Sequence, residues 1–179
     1  MFHTELHTPD YQLAGDEVAV IETSRGTVRV ALDCAGAPIH AANFCELAQM
    51  GFYDGLKFHR YVPGFVIQGG CPNTRDMTPE QVAAGQPGPD GMPGTGGPGW
   101  NIREEFSTNP RNSHEDGALA MARSMDPNSA GSQFYFCLGP QHNLDSGYTV
   151  FGATVEGLDV IGQLRAGDTI ERVSVEHAA

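Results

Sequence analysis

Lysine is almost missing from this chain of 179 residues: Lys57 stands alone beside nine arginines. The shortage extends to positive charge as a whole, because 10 basic residues face 22 acidic ones and leave a net charge of −12 at pH 7. That balance aids solubility and repels phosphate backbones, so no nucleic-acid partner is expected. No apolar run is long enough to span a bilayer, which leaves no membrane partner either. The opening MFHTELHTPDYQLAGDE lacks the basic start and long apolar centre of a secretory signal, and the cytoplasm is the expected location. Cysteine is also scarce. Cys34, Cys45, Cys71 and Cys137 are widely spaced with no C-x-x-C, and a domain of this size needs no disulfide staples, so reduced thiols are expected. The histidines are scattered without the spacing that wraps zinc. No metal and no cofactor is expected, and nothing asks for more than a monomer.

The length suits one domain with one core, and 40% apolar with 8% aromatic residues is an ordinary globular composition. Val18, Val20 and then Val28, Val30, Leu32 alternate with polar or small residues on either side of Ser24-Arg25-Gly26, the period-2 pattern of a hairpin. Pro38 fits the first turn of a helix, Ala41, Phe44, Cys45 and Ala48 recur on one face, and Gly51 sits where a C-terminal cap belongs, predicting a helix over 38–50. The runs ALAMA (118–122), QFYFCL (133–138), YTVFGATV (148–155) and TIERVSV (169–175) read as strands. Leu158, Ile161 and Leu164 share a helical face that ends before Gly167. Many short strands with two good helices predict a mainly β fold, an eight-stranded antiparallel barrel, closed to remove its edges and capped by two α-helices. Residues 1–16 form an arm, and 17–179 the domain proper. Within it, 71–93 is a long insertion continuing a Gly/Pro-rich stretch to 99, of a length usually functional or mobile. Thr78-Pro79-Glu80-Gln81 looks like a capping box opening a short helix that runs to about Gly85.

Several motifs invite chemistry and fail on context. GTGGPG (94–99) matches a dinucleotide fingerprint in form, yet a Gly/Pro loop precedes it and no convincing helix follows, so a turn that lets backbones approach closely is the better reading. Glu104-Glu105 and Glu115-Asp116 are adjacent pairs that would point to opposite faces of a strand, and they read as solvated charge. Ser113-His114 beside Glu115 has no nucleophile elbow around it. More telling is KFHRYVPGFVIQGG (57–70), an apolar segment with Arg60 before a Pro63-Gly64 break and Gln68 after it. Val66 and Gln68 share a parity on the second strand, while Phe65 and Ile67 face the other way unless the turn adds a bulge.

Taken with GTGGPG (94–99), MARSMDPNSAGSQFYFCL (121–138) and LDSGYTVFGATVEGLDVI (144–161), the segment FHRYVPGFVIQGG (58–70) strongly resembles the cyclophilins, a family of peptidyl-prolyl cis-trans isomerases. The likeness runs from about residue 17 to the end. It implies isomerase activity on X-Pro bonds of unfolded or partly folded proteins, with proline-containing peptides as partners. It puts the family's catalytic arginine on Arg60 and the glutamine that holds the substrate backbone on Gln68. It puts the proline pocket on Phe65 and Val66, further wall positions on Ala122, Gln133 and Tyr135, the rim on Leu144, and a groove glycine on Gly94. Arg123 stands for a frequent asparagine whose backbone the family chiefly uses. Tyr148 stands where many members carry histidine, and Asn143 replaces a tryptophan used against cyclosporin, implying weakened affinity for that drug.

Overall fold

The computed structural model describes residues 5–178. Eight strands, β1 (Glu17–Thr23), β2 (Gly26–Leu32), β3 (Phe58–Val62), β4 (Val66–Gly69), β5 (Ala118–Met121), β6 (Phe134–Cys137), β7 (Val150–Glu156) and β8 (Ile170–His177), make one antiparallel sheet ordered β3-β4-β6-β5-β7-β2-β1-β8. The expected closed barrel is corrected. β3 and β8 end the ladder, and the sheet is an open, curled half-barrel. Its two edges meet only at one corner, where Phe58 N–H donates to Asp168 O (2.9 Å) and Gly167 N–H to Phe58 O (2.8 Å). Beyond that corner β3 follows β4 alone. The two expected capping helices, α1 (Pro38–Gln49) and α3 (Leu158–Gln163), are joined by the short helix expected after Thr78, α2 (Pro79–Ala83).

The first hairpin turns as its sequence indicates. Thr23 Oγ1 accepts from Arg25 N–H (3.1 Å) and donates to Gly26 O (2.7 Å), closing a two-residue loop. The parity of β1 is the reverse of what Val18 and Val20 suggest: Ala19 and Ile21 lie opposite Val30 and Val28 and enter the core with them. In α1 the expected face is buried, and His40, Asn43 and Leu47 are buried with it. Phe134 sits at the centre of the core, edge-on to Phe44 (5.7 Å between ring centres), Tyr53 (5.4 Å) and Phe58 (6.1 Å). Ile161 and Leu164 of the second predicted helix are buried, but Leu158 is exposed.

The N-terminus of α1 has no cap of its own, since Ala37 offers no side-chain bond and its first turn carries no acid. Glu105 fills that role from afar: its carboxylate accepts from Ile39 N–H (3.1 Å), His40 N–H (2.7 Å) and the His40 ring (2.7 Å at Nδ1). Glu105 is 4% exposed, so the reading of solvated charge is wrong for it. The reason is that 104–105 is not a strand, and the chain there is drawn in by Thr149, whose Oγ1 accepts from Glu105 N–H (2.9 Å).

The 71–99 loop is tied down at several points. The capping box forms as expected, with Gln81 N–H donating to Thr78 Oγ1 (3.2 Å) and Thr78 N–H to Gln81 Oε1 (2.9 Å). The solitary lysine matters here: buried Lys57 donates from Nζ to Thr74 O and Arg75 O, both at 3.0 Å, anchoring the start of the loop. Asn73 Nδ2 holds its later part through Met92 O and Thr95 Oγ1 (both 3.0 Å). A Cβ on Gly96 would fall 2.5 Å from Asn73 Oδ1, the close approach that the GTGGPG turn requires. The described part of the arm lies against α1 and the 100–101 segment: His7 stacks on Trp100 (4.1 Å) and bonds Glu46 (2.6 Å), while Tyr11 and Leu13 pack on the core. Among the described residues no helix is long and apolar enough to cross a membrane, and all four cysteines are free thiols.

Candidate active site

Strand alternation divides β4, β6 and β5 between two faces. Ile67, Phe134, Phe136, Leu119 and Met121 enter the main core. Val66, Tyr135, Cys137, Ala118 and Ala120 form a second apolar cluster on the opposite face, completed by Val150 of β7, with Phe65, Ala122, Leu144 and Tyr148 packed on it. The three alanines keep this surface low, so the larger side chains around it enclose a hollow.

Arg60 reaches that face through an irregularity. Phe58 pairs with Gly69 and Arg60 with Gln68, so β3 spends two steps where β4 spends one, and His59 is the extra residue. Without it, Arg60 would share the face of Phe58, which is buried in the core. The bulge instead aligns a cross-strand row: Arg60 opposite Gln68, Gln68 opposite Tyr135, Tyr135 opposite Ala120. Phe65 escapes the alternation altogether, because it lies in the Pro63-Gly64 turn closed by Phe65 N–H to Val62 O (2.9 Å), with Gly64 at φ +70°. It therefore flanks the same hollow as Val66.

A cavity of about 260 Å³ results, lined by Arg60, Phe65, Val66, Gln68, Ala122, Arg123, Tyr135, Leu144 and Tyr148. A groove of about 400 Å³ adjoins it, sharing Gln68, Ala122 and Arg123 and adding Gly94 and Gln133. All eleven residues singled out in the sequence thus line one or both of two continuous hollows. No carboxylate lines the smaller one. Among the described residues the Arg60 guanidinium has neither a hydrogen bond nor an ion pair. Arg123 is different: its Nε donates to Gly147 O (2.7 Å) and its guanidinium lies 4.7 Å from the Tyr148 ring centre, bracing the rim.

The two glutamines have their amides oriented by the loop. Gln133 Nε2 donates to Gly94 O and Gly96 O (both 2.9 Å), which uses both of its hydrogens, so its Oε1 must accept from Gln68 Nε2 (3.1 Å). Gln68 is left with a free carbonyl oxygen and one free N–H towards the hollows, a pair suited to a peptide backbone. Sequence reasoning missed this bracing, and it missed Asn112, whose side chain holds Asp145 O (2.6 Å), Tyr148 O (2.9 Å) and Val150 N–H (2.8 Å) behind the rim. It also weighed His114 only as a hydrolase partner of Ser113. Ser113 Oγ bonds Glu115 (2.8 Å), whereas the His114 ring turns inward to Asp145 and Tyr135. Neither serine chemistry nor a shared carboxylate pair is assembled there. The described residues hold one trio able to bind a metal, Asp16, Glu17 and His177, at the far end of β1 and β8; His177 already bonds Asp16 (2.7 Å) and Glu17 accepts from Gly15 N–H (3.0 Å).

His59 carries a measurable cost for its position in the bulge. Burial, and secondarily the charge of Arg60, push its pKa from 6.5 down to about 4, and its Nδ1 is buried without a partner. The folded protein holds this ring neutral while the unfolded chain takes up a proton near pH 6.5. Stability is therefore full above that pH and declines as the pH falls towards 4. The loss expected from this residue is about 2–3 kcal/mol. Urea denaturation of wild type and His59→Phe at pH 7 and pH 4 measures it, and an equal drop in both proteins would remove the assignment.

The family model for "Cyclophilin type peptidyl-prolyl cis-trans isomerase/CLD" matches residues 18–178. A peptidyl-prolyl cis-trans isomerase of Synechococcus elongatus is 43% identical over 159 residues, covering 88% of this chain and 94% of that protein. Among solved structures, a cyclophilin from Hirschia baltica superposes with a TM-score of 0.69 at 24% identity, over 90% of this chain and 74% of that one. A cyclophilin-type isomerase from Cryptosporidium parvum, solved in the presence of the dipeptide Ala-Pro, gives 0.65 at 23%, over 90% and 99%. With its sheet and nearly its whole length matched in this way, the chain belongs to the cyclophilin-type peptidyl-prolyl cis-trans isomerases, enzymes that speed rotation about X-Pro bonds and so assist protein folding.

Proposed function

We propose that the 260 Å³ cavity receives the proline ring of an X-Pro segment and that Arg60 stabilises the twisted amide. The observation that carries this is a guanidinium without a partner among the described residues, on the wall of a hollow that Phe65, Val66, Tyr135 and Leu144 also line, in register with Gln68 and Tyr135. Amide resonance sets a barrier of about 18–20 kcal/mol to rotation, and the uncatalysed step takes tens to hundreds of seconds. No bond breaks. In the transition state the prolyl nitrogen loses conjugation and recovers a lone pair, so a fixed donor near it acts more strongly there than in either planar form. Arg60 presents a cationic guanidinium with a rigid fork of N–H groups. Phe65, Val66, Tyr135 and Leu144 grip the ring, Tyr148 closes it, and Gln68 holds the flanking peptide, with the Arg123 backbone beside it and Gln133, Gly94 and Ala122 shaping the groove. Rotation then occurs about one anchored bond. An acceleration of about 10⁴-fold corresponds to roughly 5.4 kcal/mol, which positioning and electrostatics supply without a metal or nucleophile.

The clients we assign are proline-containing segments of unfolded or partly folded proteins, and residues 17–179 are the unit that acts on them. Four free thiols suit a reducing compartment such as the cytoplasm, and the negative net charge disfavours nucleic acid. We assign a monomer that works without a membrane partner. An exposed Asn143 offers little apolar area, which supports weak binding of cyclosporin. Titrating a short Ala-Pro peptide into ¹⁵N-labelled protein tests the site. Shifts are expected at Phe65, Val66, Gln68, Tyr135 and Tyr148, with faster cis–trans exchange of the peptide. Shifts confined to another surface, or exchange at the uncatalysed rate, would refute it.

A further inference from the structure

Tyr135 is 4% exposed, yet it carries a hydroxyl into the apolar cluster beneath the cavity. A buried hydroxyl without a partner is costly, and one turned into the cavity would hold a water that proline has to expel. The protein provides a partner on the far side. Tyr135 Oη lies 2.9 Å from Nε2 of His114, a ring wholly buried. His114 Nδ1 lies 2.8 Å from Asp145 Oδ1, and the same oxygen accepts His114 backbone N–H (2.7 Å). The second oxygen of Asp145 meets His142 Nδ1 (2.9 Å).

The proton positions follow from this arrangement. Burial raises the pKa of Asp145, but hydrogen bonds from the backbone and ring of His114 and from His142 outweigh it and keep the carboxyl ionised. An ionised carboxylate can only accept, so His114 must carry its hydrogen on Nδ1. Nε2 is then a bare lone pair, and Tyr135 O–H donates to it.

We infer that His114 and Asp145 are positioning residues of the prolyl pocket: they draw the Tyr135 hydroxyl away from the cavity, so that its floor presents a ring and no polar hydrogen. The inference rests on the reading of this cavity as the proline site. The 6.0 Å stacking of the His114 and Tyr135 rings and the edge contact of Tyr135 with Tyr148 (6.2 Å) fix the ring about the same axis. Neither positioning residue lines the cavity.

Two measurements test it. The imidazole ¹⁵N spectrum of the native protein is expected to show His114 protonated at Nδ1 and bare at Nε2; a hydrogen on Nε2 would overturn the inference with no variant needed. In kinetics on an X-Pro peptide followed by NMR exchange, His114→Phe strands the hydroxyl. It is expected to raise KM about tenfold with kcat little changed. Adding Tyr135→Phe removes the stranded group and is expected to recover most of that loss, a rescue that a purely structural role for His114 would not produce. Equal KM values for the single and double variants would sink the proposal. Failure of the pocket reading looks different: peptide binding would leave the Tyr135 resonances unmoved in the native protein.

Discussion

Arg60→Ala is expected to lower kcat for an X-Pro peptide by about 10²–10³-fold, the usual cost of deleting one preorganised donor aimed at developing charge. That is roughly 2.7–4 kcal/mol of the 5.4 or so that the reaction needs. The fold should be untouched, because Arg60 is exposed and no hydrogen bond or ion pair of its side chain is lost among the described residues. KM should change little, since the proposed site grips the ring through Phe65, Val66, Tyr135 and Leu144. Arg60→Lys keeps the charge but loses the planar fork, and an intermediate rate is expected. Exchange NMR on a proline peptide measures both variants, with circular dichroism to verify the fold. Turnover within threefold of wild type in Arg60→Ala would end the role given to this guanidinium.

Glu105→Ala should produce the largest loss of stability, about 3–5 kcal/mol, or on the order of 10 °C in Tm for a domain of this size. The loss comes from what is left behind. The buried N–H and ring of His40, itself 1% exposed, and the partly buried N–H of Ile39 would be left without an acceptor. Glu105→Gln retains one carbonyl oxygen and should cost less than half as much. Guanidinium denaturation of the three proteins checks the order, and a loss below 1 kcal/mol in Glu105→Ala would show that α1 does not depend on this cap.

These two residues mark the limit of what the sequence discloses. The strands, the first hairpin, α1 and the capping box at Thr78 were legible because each rests on local periodicity and turn chemistry. The pocket was legible only through resemblance, since Phe65, Ala122 and Leu144 come from separate segments that no spacing rule connects. Glu105 was misread because its partners lie 65 residues away, and a carboxylate beside another carboxylate looks solvated when only neighbours are considered. Closure of the barrel was over-read: the demand for hidden edges is met at one corner by the 55–58 and 167–170 segments and does not continue along β3 and β8. His114 shows a third kind of failure. Its neighbours in sequence offered only a hydrolase reading, which failed on context and left it without a role, while its contacts in space are with Asp145 and Tyr135.

The extra residue in β3 makes the enzyme sensitive to arithmetic more than to chemistry. Whatever occupies position 59, its presence shifts the strand by half a pleat, and that phase decides whether a cation faces the cavity proposed for substrate or is forced against packed aromatic rings. Activity on this scaffold is thus guarded by a length, and a lineage could lose it through one codon dropped from the strand while every residue in the pocket stayed the same.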